Sequence, residues 1–322
     1  MLLIALEEAF WLDDLQTSGS FVGSGTPFRK DLLAGLGEKL SDFTKLRLPE
    51  MDRAGVDVQV LSLTSPGVQM QPDAATAVAD ARKANDFLAE VVADHPDRFA
   101  GLAAVALQDP DKAAAELRRA IGLGLRGVLV NDHTLGRYLD EPEYAGFWET
   151  LEELDAPLYI HPNASPPGLS VVEGHPELIG PTFSWAVMTG GHAMRLIYAG
   201  VFDRYPTAKI ILGHMGEFLP FQLSRLDIRH KDLDLPHPIE RLPSEYFGRN
   251  ILATTTGVLS HSALIALIQA IGIDAVMFSV DYPYESSENA AEFMRSAPLA
   301  PADKAKVAHL NAERILKLPT SD

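Results

Sequence analysis

The chain has 322 residues, no cysteine, and 44 acidic against 27 basic side chains, which gives a formal net charge of −17. This charge disfavours nucleic acid as a partner, because phosphate contacts require a basic surface. Without cysteine, disulfides, thiolate nucleophiles and Cys-ligated zinc are excluded, so any metal must be held by His, Asp or Glu. No apolar run is long enough to span a membrane and no basic leader precedes the first one, so the expected location is the cytoplasm.

Apolar runs and helical patterns alternate along the whole chain, and this length suits a single barrel domain over residues 1–322. Strands are predicted at 2–6, 58–63, 99–105, 127–131, 157–160, 209–212, 251–254 and 275–280. Helices are predicted at 46–54, 74–94, 109–122, 143–154, 184–202, 218–231, 262–270, 289–295 and 301–316.

Eight strands that each lead into a helix predict a TIM-type (β/α)8 barrel. The alternative is an open doubly wound sheet, which usually carries a glycine-rich phosphate turn after its first strand. Here Glu7 and Glu8 occupy that place, and no such turn is found elsewhere. Two segments lack periodicity: 11–37, expected to be a long loop, and 162–181, expected to be an active-site insertion after strand five.

Ionisable side chains stand at the carboxyl ends of four predicted strands. These are Glu7, His161, His214 and Asp281, and in a barrel such strand ends form one rim. Of the four, Glu7, His161 and Asp281 form an oxygen-rich set that favours a divalent metal with open positions for water and substrate. Glu8 is the alternative to Glu7, because strand alternation turns only one of the two inward.

Six short blocks resemble the metal-dependent aromatic acid decarboxylases of the amidohydrolase superfamily. They are Ala5-Leu-Glu-Glu-Ala-Phe10, Leu63-Thr-Ser-Pro-Gly-Val-Gln69, Tyr159-Ile-His-Pro162, Leu212-Gly-His-Met-Gly-Glu217, Phe278-Ser-Val-Asp-Tyr-Pro-Tyr-Glu285 and Asn311-Ala-Glu-Arg314. Members of this group act on γ-resorcylate, 2,3-dihydroxybenzoate and 5-carboxyvanillate, and the more distant aminocarboxymuconate semialdehyde decarboxylase shares the fold.

The resemblance implies one divalent metal ion and no organic cofactor. It assigns the metal ligands to Glu7, His161 and Asp281, and the active-site histidine to His214, with Glu217 behind it. Many members have a histidine two residues after the first ligand, where this chain has alanine. The loss of that nitrogen favours Mn²⁺ or Mg²⁺ over Zn²⁺, which stays possible on ligand type alone.

Four further residues are candidates for substrate binding. Arg47 and Arg225 match positions that meet the substrate carboxylate in relatives, and the alternative for each is a surface ion pair. Phe10 and Trp185 are candidate apolar walls, and the alternative for each is a place in the core.

The resemblance implies a non-oxidative decarboxylase that converts a hydroxylated benzoate into CO₂ and a phenol, in a physiological direction that the sequence leaves open. Asp281 is then the proton donor, and His214, held by Glu217, assists it. The alternative is a hydrolase such as a lactonase, in which the same metal activates water. The apolar content of the helix expected at 184–202 exceeds what one barrel-facing stripe can hide, which predicts a homodimer or homotetramer.

Overall fold

A computed structural model describes residues 1–15, 26–164 and 168–319. Its eight strands are β1 (Ile4–Phe10), β2 (Val58–Leu63), β3 (Phe99–Gly101), β4 (Val128–Asn131), β5 (Leu158–His161), β6 (Ile210–Leu212), β7 (Ile251–Thr254) and β8 (Val276–Met277). They pair in parallel as β1-β2-β3 and as β4-β5-β6-β7-β8. Bridges between Ala103 and Val128 and between Leu6 and Ser279 join the two sets at both seams. The sheet therefore closes, and the prediction of a (β/α)8 barrel is confirmed.

The helices are α1 (Lys30–Leu33), α2 (Leu36–Ser41), α3 (Arg47–Ala54), α4 (Ala74–Asp94), α5 (Pro110–Gly122), α6 (Ala145–Leu154), α7 (Ser184–Tyr198), α8 (Val201–Arg204), α9 (Leu223–His230), α10 (His261–Ile271), α11 (Ser287–Ser296), α12 (Pro301–Ala305) and α13 (Asn311–Leu316). Asp73 and Asp109 cap α4 and α5 by accepting hydrogen bonds from backbone N–H groups of the first turn, as expected at a helix start. Among the described residues, no helix is both long and apolar enough to cross a bilayer.

The core lies inside the barrel and between the barrel and its helices. Leu158, Tyr159 and Ile160 of β5 are fully buried, and the other strands are buried in the same way. Parallel strands covered on both faces account for the continuous apolar runs of the sequence.

Several predicted boundaries differ from the structure. Residues 16–25 of the expected loop 11–37 lie outside the described residues, but its second half contains α1 and the start of α2, so the loop prediction is wrong there. The helix expected at 184–202 is divided by Gly200, whose φ of 67° is left-handed. The helix expected at 218–231 begins only at Leu223, because Phe218 is left-handed with a φ of 66° and Leu219–Gln222 form a 3₁₀ turn.

Two further elements are interrupted. The C-terminal helix expected at 301–316 contains a π-helical segment, Lys306–Leu310, between α12 and α13. The insertion 162–181 contains short 3₁₀ turns at Ser170–Val172, Pro176–Leu178 and Gly180–Thr182, and residues 165–167 fall outside the described chain.

The seam between β1 and β8 depends on a β-bulge in β1. Ala5 pairs with Gln59 and Glu8 with Leu61, so β1 has one residue more than β2 between these pairs. The extra residue places Glu7 in the left-handed region, with a φ of 67°. A bulge redirects side chains next to it, which here lets two adjacent glutamates serve two different places.

Glu8 adds a side-chain contact to the seam. Its carboxylate is fully buried and accepts hydrogen bonds from the backbone N–H groups of Val280 (3.0 Å), Asp281 (3.3 Å) and Tyr282 (3.2 Å). Burial raises the pKa of Glu8 to about 8, while these N–H groups and the charge of Arg47 oppose the rise. Beyond the regular part of β8 this side chain acts together with β1, whose Leu6 and Ala9 N–H groups donate to the carbonyl oxygens of Phe278 (3.2 Å) and Tyr282 (2.7 Å).

We expect Glu8→Ala to lower the free energy of unfolding by about 3 kcal/mol, because three buried N–H groups lose their acceptor. Urea denaturation measures the change. Glu8→Gln keeps an amide oxygen as acceptor and should lose less. Equal stability of Glu8→Ala and the unmutated protein would show that Glu8 does not hold the seam.

Candidate active site

The carboxyl ends of the strands bring the predicted rim residues together. Glu7 at the β1 bulge places its Oε1 3.6 Å from Nε2 of His161, at the end of β5, and 3.9 Å from Nε2 of His214, just after β6. Asp281 follows β8, and a cavity of about 350 Å³ is lined by both His161 and Asp281. The four residues therefore share one site, as the sequence predicts.

Glu7, and not Glu8, faces this site. Its side chain is 1% exposed, and its Oε2 accepts hydrogen bonds from the hydroxyls of Tyr159 and Thr256. Its Oε1 is buried and has no hydrogen-bond partner. The choice between the two glutamates, left open by strand alternation, is made by the bulge.

His161 presents an unprotonated nitrogen to Glu7. Its Nδ1 lies 2.7 Å from the carbonyl oxygen of Pro162, which can only accept, so Nδ1 carries the proton and donates it there. Burial lowers the pKa of His161, although the charge of Glu7 opposes this, and the neutral ring is favoured. The Nε2 lone pair and the Glu7 carboxylate are thus two acceptors that face each other without a proton between them.

Asp281 adds a third unsatisfied acceptor. Its Oδ1 is buried without a partner, and its backbone has a φ of 81°. Burial, together with the charge of Glu7, raises the pKa of Asp281 well above its usual range. Buried acceptors without donors are costly, so this end of the barrel favours a bound cation.

The spacing fits a cation. Two ligand atoms that each lie about 2.1 Å from one ion are within about 4.2 Å of each other, and the 3.6 Å between Glu7 Oε1 and His161 Nε2 satisfies this limit. Within residues 1–15, 26–164 and 168–319, no three His, Asp or Glu side chains form a ready-made metal cage. The fit rests on the unpaired acceptors of Glu7, His161 and Asp281.

His214 is held by a strained turn. The turn His214–Glu217 has left-handed backbone, with φ of 52° at His214, 58° at Met215 and 53° at Glu217. Such residues cost about 1–2 kcal/mol each, and this kind of strain concentrates at functional sites. A 2.7 Å contact between Nδ1 of His214 and Oε1 of Glu217 holds the two ends of the turn together.

His214 differs from His161 in protonation. Burial lowers the pKa of His214, but the carboxylates of Glu217, Glu7 and Asp281 outweigh burial and raise it to about 10. His214 is therefore favoured as an imidazolium beside the acceptors, whereas His161 is favoured as a neutral ligand. This difference agrees with the roles that the resemblance implies for the two histidines.

The walls of the cavity include predicted and unpredicted residues. Trp185 lines it, with its ring centroid 6.4 Å from that of His161. Lys39, Tyr284 and Glu285 also line it. Tyr284 and Glu285 follow Asp281 in the same sequence block and could have been found there, whereas Lys39 lies at the edge of a segment read as loop. A larger cavity of about 710 Å³ lies at the amino-terminal ends of β1 to β3, away from the rim.

Phe10 lies in the core and not on the cavity wall. It is 1% exposed, and its ring centroid is 6.1 Å from those of both Phe43 and Phe87. Its alternative assignment, a place in the core, is therefore the one that the structure supports. Phe10 lies three residues after Glu7, and side chains an odd number of positions apart on a strand point to opposite faces.

Arg47 is also a core residue. It is fully buried, donates hydrogen bonds to the carbonyl oxygen of Ala9 (2.6 Å) and to Oε1 of Gln59 (3.1 Å), and lies 4.3 Å from the ring centroid of Tyr282. Burial lowers its pKa to about 10, so it is still charged at neutral pH. Arg225 is exposed on α9, and neither arginine lines the cavity.

Known proteins resemble the chain over nearly its full length. A family model described as amidohydrolase matches residues 17–318. The gamma-resorcylate decarboxylase of Rhizobium sp. (strain MTP-10005) is 41% identical over 326 residues, 98% of each chain. A crystal structure of 2,6-dihydroxybenzoate decarboxylase complexed with 2,6-dihydroxybenzoate is 41% identical, covers 98% of this chain and 99% of its own, and has a TM-score of 0.91.

A second solved structure carries a metal. It is a dihydroxybenzoic acid decarboxylase from Polaromonas sp. JS666 with bound manganese and the inhibitor 2-nitroresorcinol. It is 38% identical, covers 99% of this chain and 98% of its own, and has a TM-score of 0.91. The resemblance found in the sequence blocks is confirmed, and these relatives are decarboxylases and not hydrolases.

We expect Arg47→Met to lower the free energy of unfolding by about 3 kcal/mol, because it leaves the Glu8 side of the core without its cation. Arg225→Met, at an exposed position, should change stability by less than about 0.5 kcal/mol. Urea denaturation of both variants measures the contrast. A stable Arg47→Met protein with a raised KM would instead place Arg47 in substrate binding.

Proposed function

The chain belongs to the amidohydrolase family, and we propose that it is a metal-dependent decarboxylase of a hydroxylated benzoate, which releases CO₂ and a phenol. One observation carries the proposal. Glu7 and Asp281 each carry a buried oxygen without a hydrogen-bond partner at the end of the barrel where Nε2 of His161 lies 3.6 Å from Glu7, beside a histidine favoured as its imidazolium. The cavity at that end, of about 350 Å³, can hold a one-ring acid.

The residues that would hold the metal are Glu7, His161 and Asp281. When bound, a divalent ion supplies Lewis-acid binding for the carboxylate and the adjacent phenolic oxygen of the substrate. We propose Mn²⁺, because the set is oxygen-rich, Ala9 offers no further nitrogen, and a relative was solved with manganese.

Asp281 is suited to handle the proton of the reaction. Decarboxylation breaks the bond between the ring carbon and its carboxylate and forms a bond between that carbon and hydrogen, so a proton must reach the ring. Asp281 lines the cavity where the ring would lie, and the resemblance of its sequence block assigns it as the proton donor. His214, held by Glu217 at 2.7 Å, can pass a new proton to Asp281 or hydrogen-bond to a ring hydroxyl.

The cavity has an apolar side and a basic side chain. Trp185 offers a flat face for the ring. Lys39 lines the same cavity, and its Nζ forms an ion pair with Glu50 at 3.0 Å.

We expect the Mn²⁺-loaded protein to release CO₂ from at least one of 2,6-dihydroxybenzoate, 2,3-dihydroxybenzoate and 5-carboxyvanillate. Ring absorbance and trapped CO₂ measure the reaction, and a chelator should abolish it because the acceptors then lack their cation. An aryl lactone assayed in parallel tests the hydrolase alternative. Lactone opening without CO₂ release from any acid would overturn the proposal.

Variants of the rim separate metal binding from turnover. Glu7→Ala and His161→Ala should lose bound metal, as should Asp281→Ala. His214→Asn should keep most of the metal and lose turnover, because His214 is assigned to proton handling. Metal loss in His214→Asn equal to that in His161→Ala would make His214 a ligand.

We also propose that the protein is a homo-oligomer, a dimer or a tetramer. Val187 on α7 is 37% exposed. The turn His214–Glu217 packs against α7 at Gly190, and just after this turn Phe218 and Phe221 are 46% and 51% exposed. The ring centroids of Phe183 and Phe218 are 6.5 Å apart, which joins the two parts of this surface. The exposed apolar surface of α7 is smaller than the sequence predicted, because Leu196 and other residues of that helix are fully buried. Phe218 and Phe221 add to this surface from outside the helix.

Light scattering at micromolar concentration should give about 70 or 140 kDa, two or four times the 35.0 kDa of one chain. Phe218→Glu combined with Phe221→Glu should shift the mass toward the single chain, because it places charge in the apolar surface. A mass near 35.0 kDa for the unmutated protein contradicts assembly.

A further inference from the structure

We propose that the hydroxyls of Tyr159, Thr254 and Thr256 form a clamp that holds Glu7 as a one-oxygen ligand and thereby sets the affinity of the metal site. This hydroxyl clamp rests on the metal site of the proposed function and adds positioning residues to it. Tyr159 and Thr254 come from the strands β5 and β7, and Thr256 lies just beyond β7.

The clamp is a ring of four short polar contacts that three hydroxyl protons link by three hydrogen bonds. Tyr159 and Thr256 both donate to Oε2 of Glu7. The hydroxyl oxygen of Thr254 lies 3.0 Å from that of Tyr159 and 2.8 Å from that of Thr256, so its one proton goes to either neighbour. All three hydroxyls are fully buried, and each of their protons has an acceptor within the ring.

The ring divides the two oxygens of Glu7. Oε2 is occupied by two donors, and Oε1 has none. Oε1 is the oxygen that faces Nε2 of His161 at 3.6 Å. A rotation that brought both oxygens to a shared ion would break two hydrogen bonds to a charged acceptor, which are the stronger kind. The clamp therefore leaves Oε1 of Glu7 available to the metal and holds Oε2 in hydrogen bonds.

Gly213 gives independent support from packing. A Cβ at this position would lie 2.9 Å from Oε2 of Glu7, 3.0 Å from its Oε1 and 3.2 Å from the hydroxyl of Tyr159. Its φ of −69° is open to any residue, so the backbone conformation does not require glycine. The close approach of the clamped carboxylate is what requires glycine at this position, directly after β6.

The alternative is that the ring only fills the core with satisfied hydroxyls. In that case its loss would change the stability of the metal-free protein and leave metal affinity untouched. A clamp that positions Glu7 acts instead on the metal itself, and residues that orient a metal ligand typically change affinity by about 10- to 100-fold when they are mutated.

The experiment titrates Mn²⁺ into metal-stripped full-length protein, without substrate, and follows free Mn²⁺ by electron paramagnetic resonance. Tyr159→Phe and Thr256→Val should each weaken Mn²⁺ binding by about 10-fold or more. Thr256→Ser keeps the hydroxyl and should bind as the unmutated protein does. Gly213→Ala should weaken binding by displacing Glu7 without removing a hydrogen bond.

Tyr246→Phe is the matched control, because Tyr246 is also fully buried and its hydroxyl donates to a carboxylate, Asp203, at 2.6 Å, away from the rim. It should leave Mn²⁺ affinity unchanged. Equal affinities for Tyr159→Phe, Thr256→Val and Tyr246→Phe would overturn the clamp, as would Gly213→Ala binding as tightly as the unmutated protein.

The outcomes separate this inference from the proposed function. An unmutated protein that binds no divalent ion would overturn both. Normal Mn²⁺ binding without CO₂ release would overturn the proposed function and leave the clamp to be decided by the variants. If a variant fails to fold by circular dichroism, Thr256→Ser and Gly213→Ala still decide the matter through the same titration.

Discussion

The β-bulge in β1 is the constraint on which both the barrel and its site depend. One extra residue between Ala5 and Glu8 turns Glu7 toward the cavity and leaves Glu8 to bind the backbone beyond β8. In a regular strand, too, neighbouring side chains point to opposite faces. The bulge differs in two ways: it shifts the register between β1 and β2, and it gives Glu7 a left-handed backbone. The same bulge thus contributes to the closure of the sheet and directs the carboxylate of Glu7 toward the cavity.

The charge of the rim follows from this arrangement. Glu7, Glu217 and Asp281 place three carboxyl groups in a buried region, where the imidazolium of His214 supplies positive charge and two hydroxyls donate to Glu7. Buried charge without a partner is expensive, and a carboxylate can reduce the cost by taking a proton or by binding a cation. The raised pKa of Asp281 corresponds to the first way, taking a proton. The unpaired Oε1 of Glu7 is available for the second, binding a cation.

The carboxyl ends of β2 and of β4 to β7 were readable from the sequence to within a residue, whereas those of β1, β3 and β8 and the side-chain directions were not. Apolar runs covered on both faces located β5 and β7 to within a residue, and so placed His161 at the rim. The choice between Glu7 and Glu8 required the bulge, which leaves no composition signal. Phe10 and Arg47 also pack into the core, since a motif match does not show on which face of its strand or helix a residue lies. Tyr159 resembled an ordinary core aromatic, since its hydroxyl bond to Glu7 joins residues 152 positions apart.

The residues that position the site extend beyond those that line it. Asp281 is placed by its backbone N–H, which Glu8 binds together with those of its two neighbours. Glu8 is balanced by the buried charge of Arg47, which also binds the carbonyl of Ala9 and lies against the ring of Tyr282, the residue after Asp281. An arginine that never reaches the cavity therefore connects the bulge of β1 to the segment that carries the acid. Because interactions of this kind link two ends of the same seam, a change that loosens the core at Arg47 also displaces Asp281, and stability and catalytic geometry at this end of the barrel depend on the same contacts.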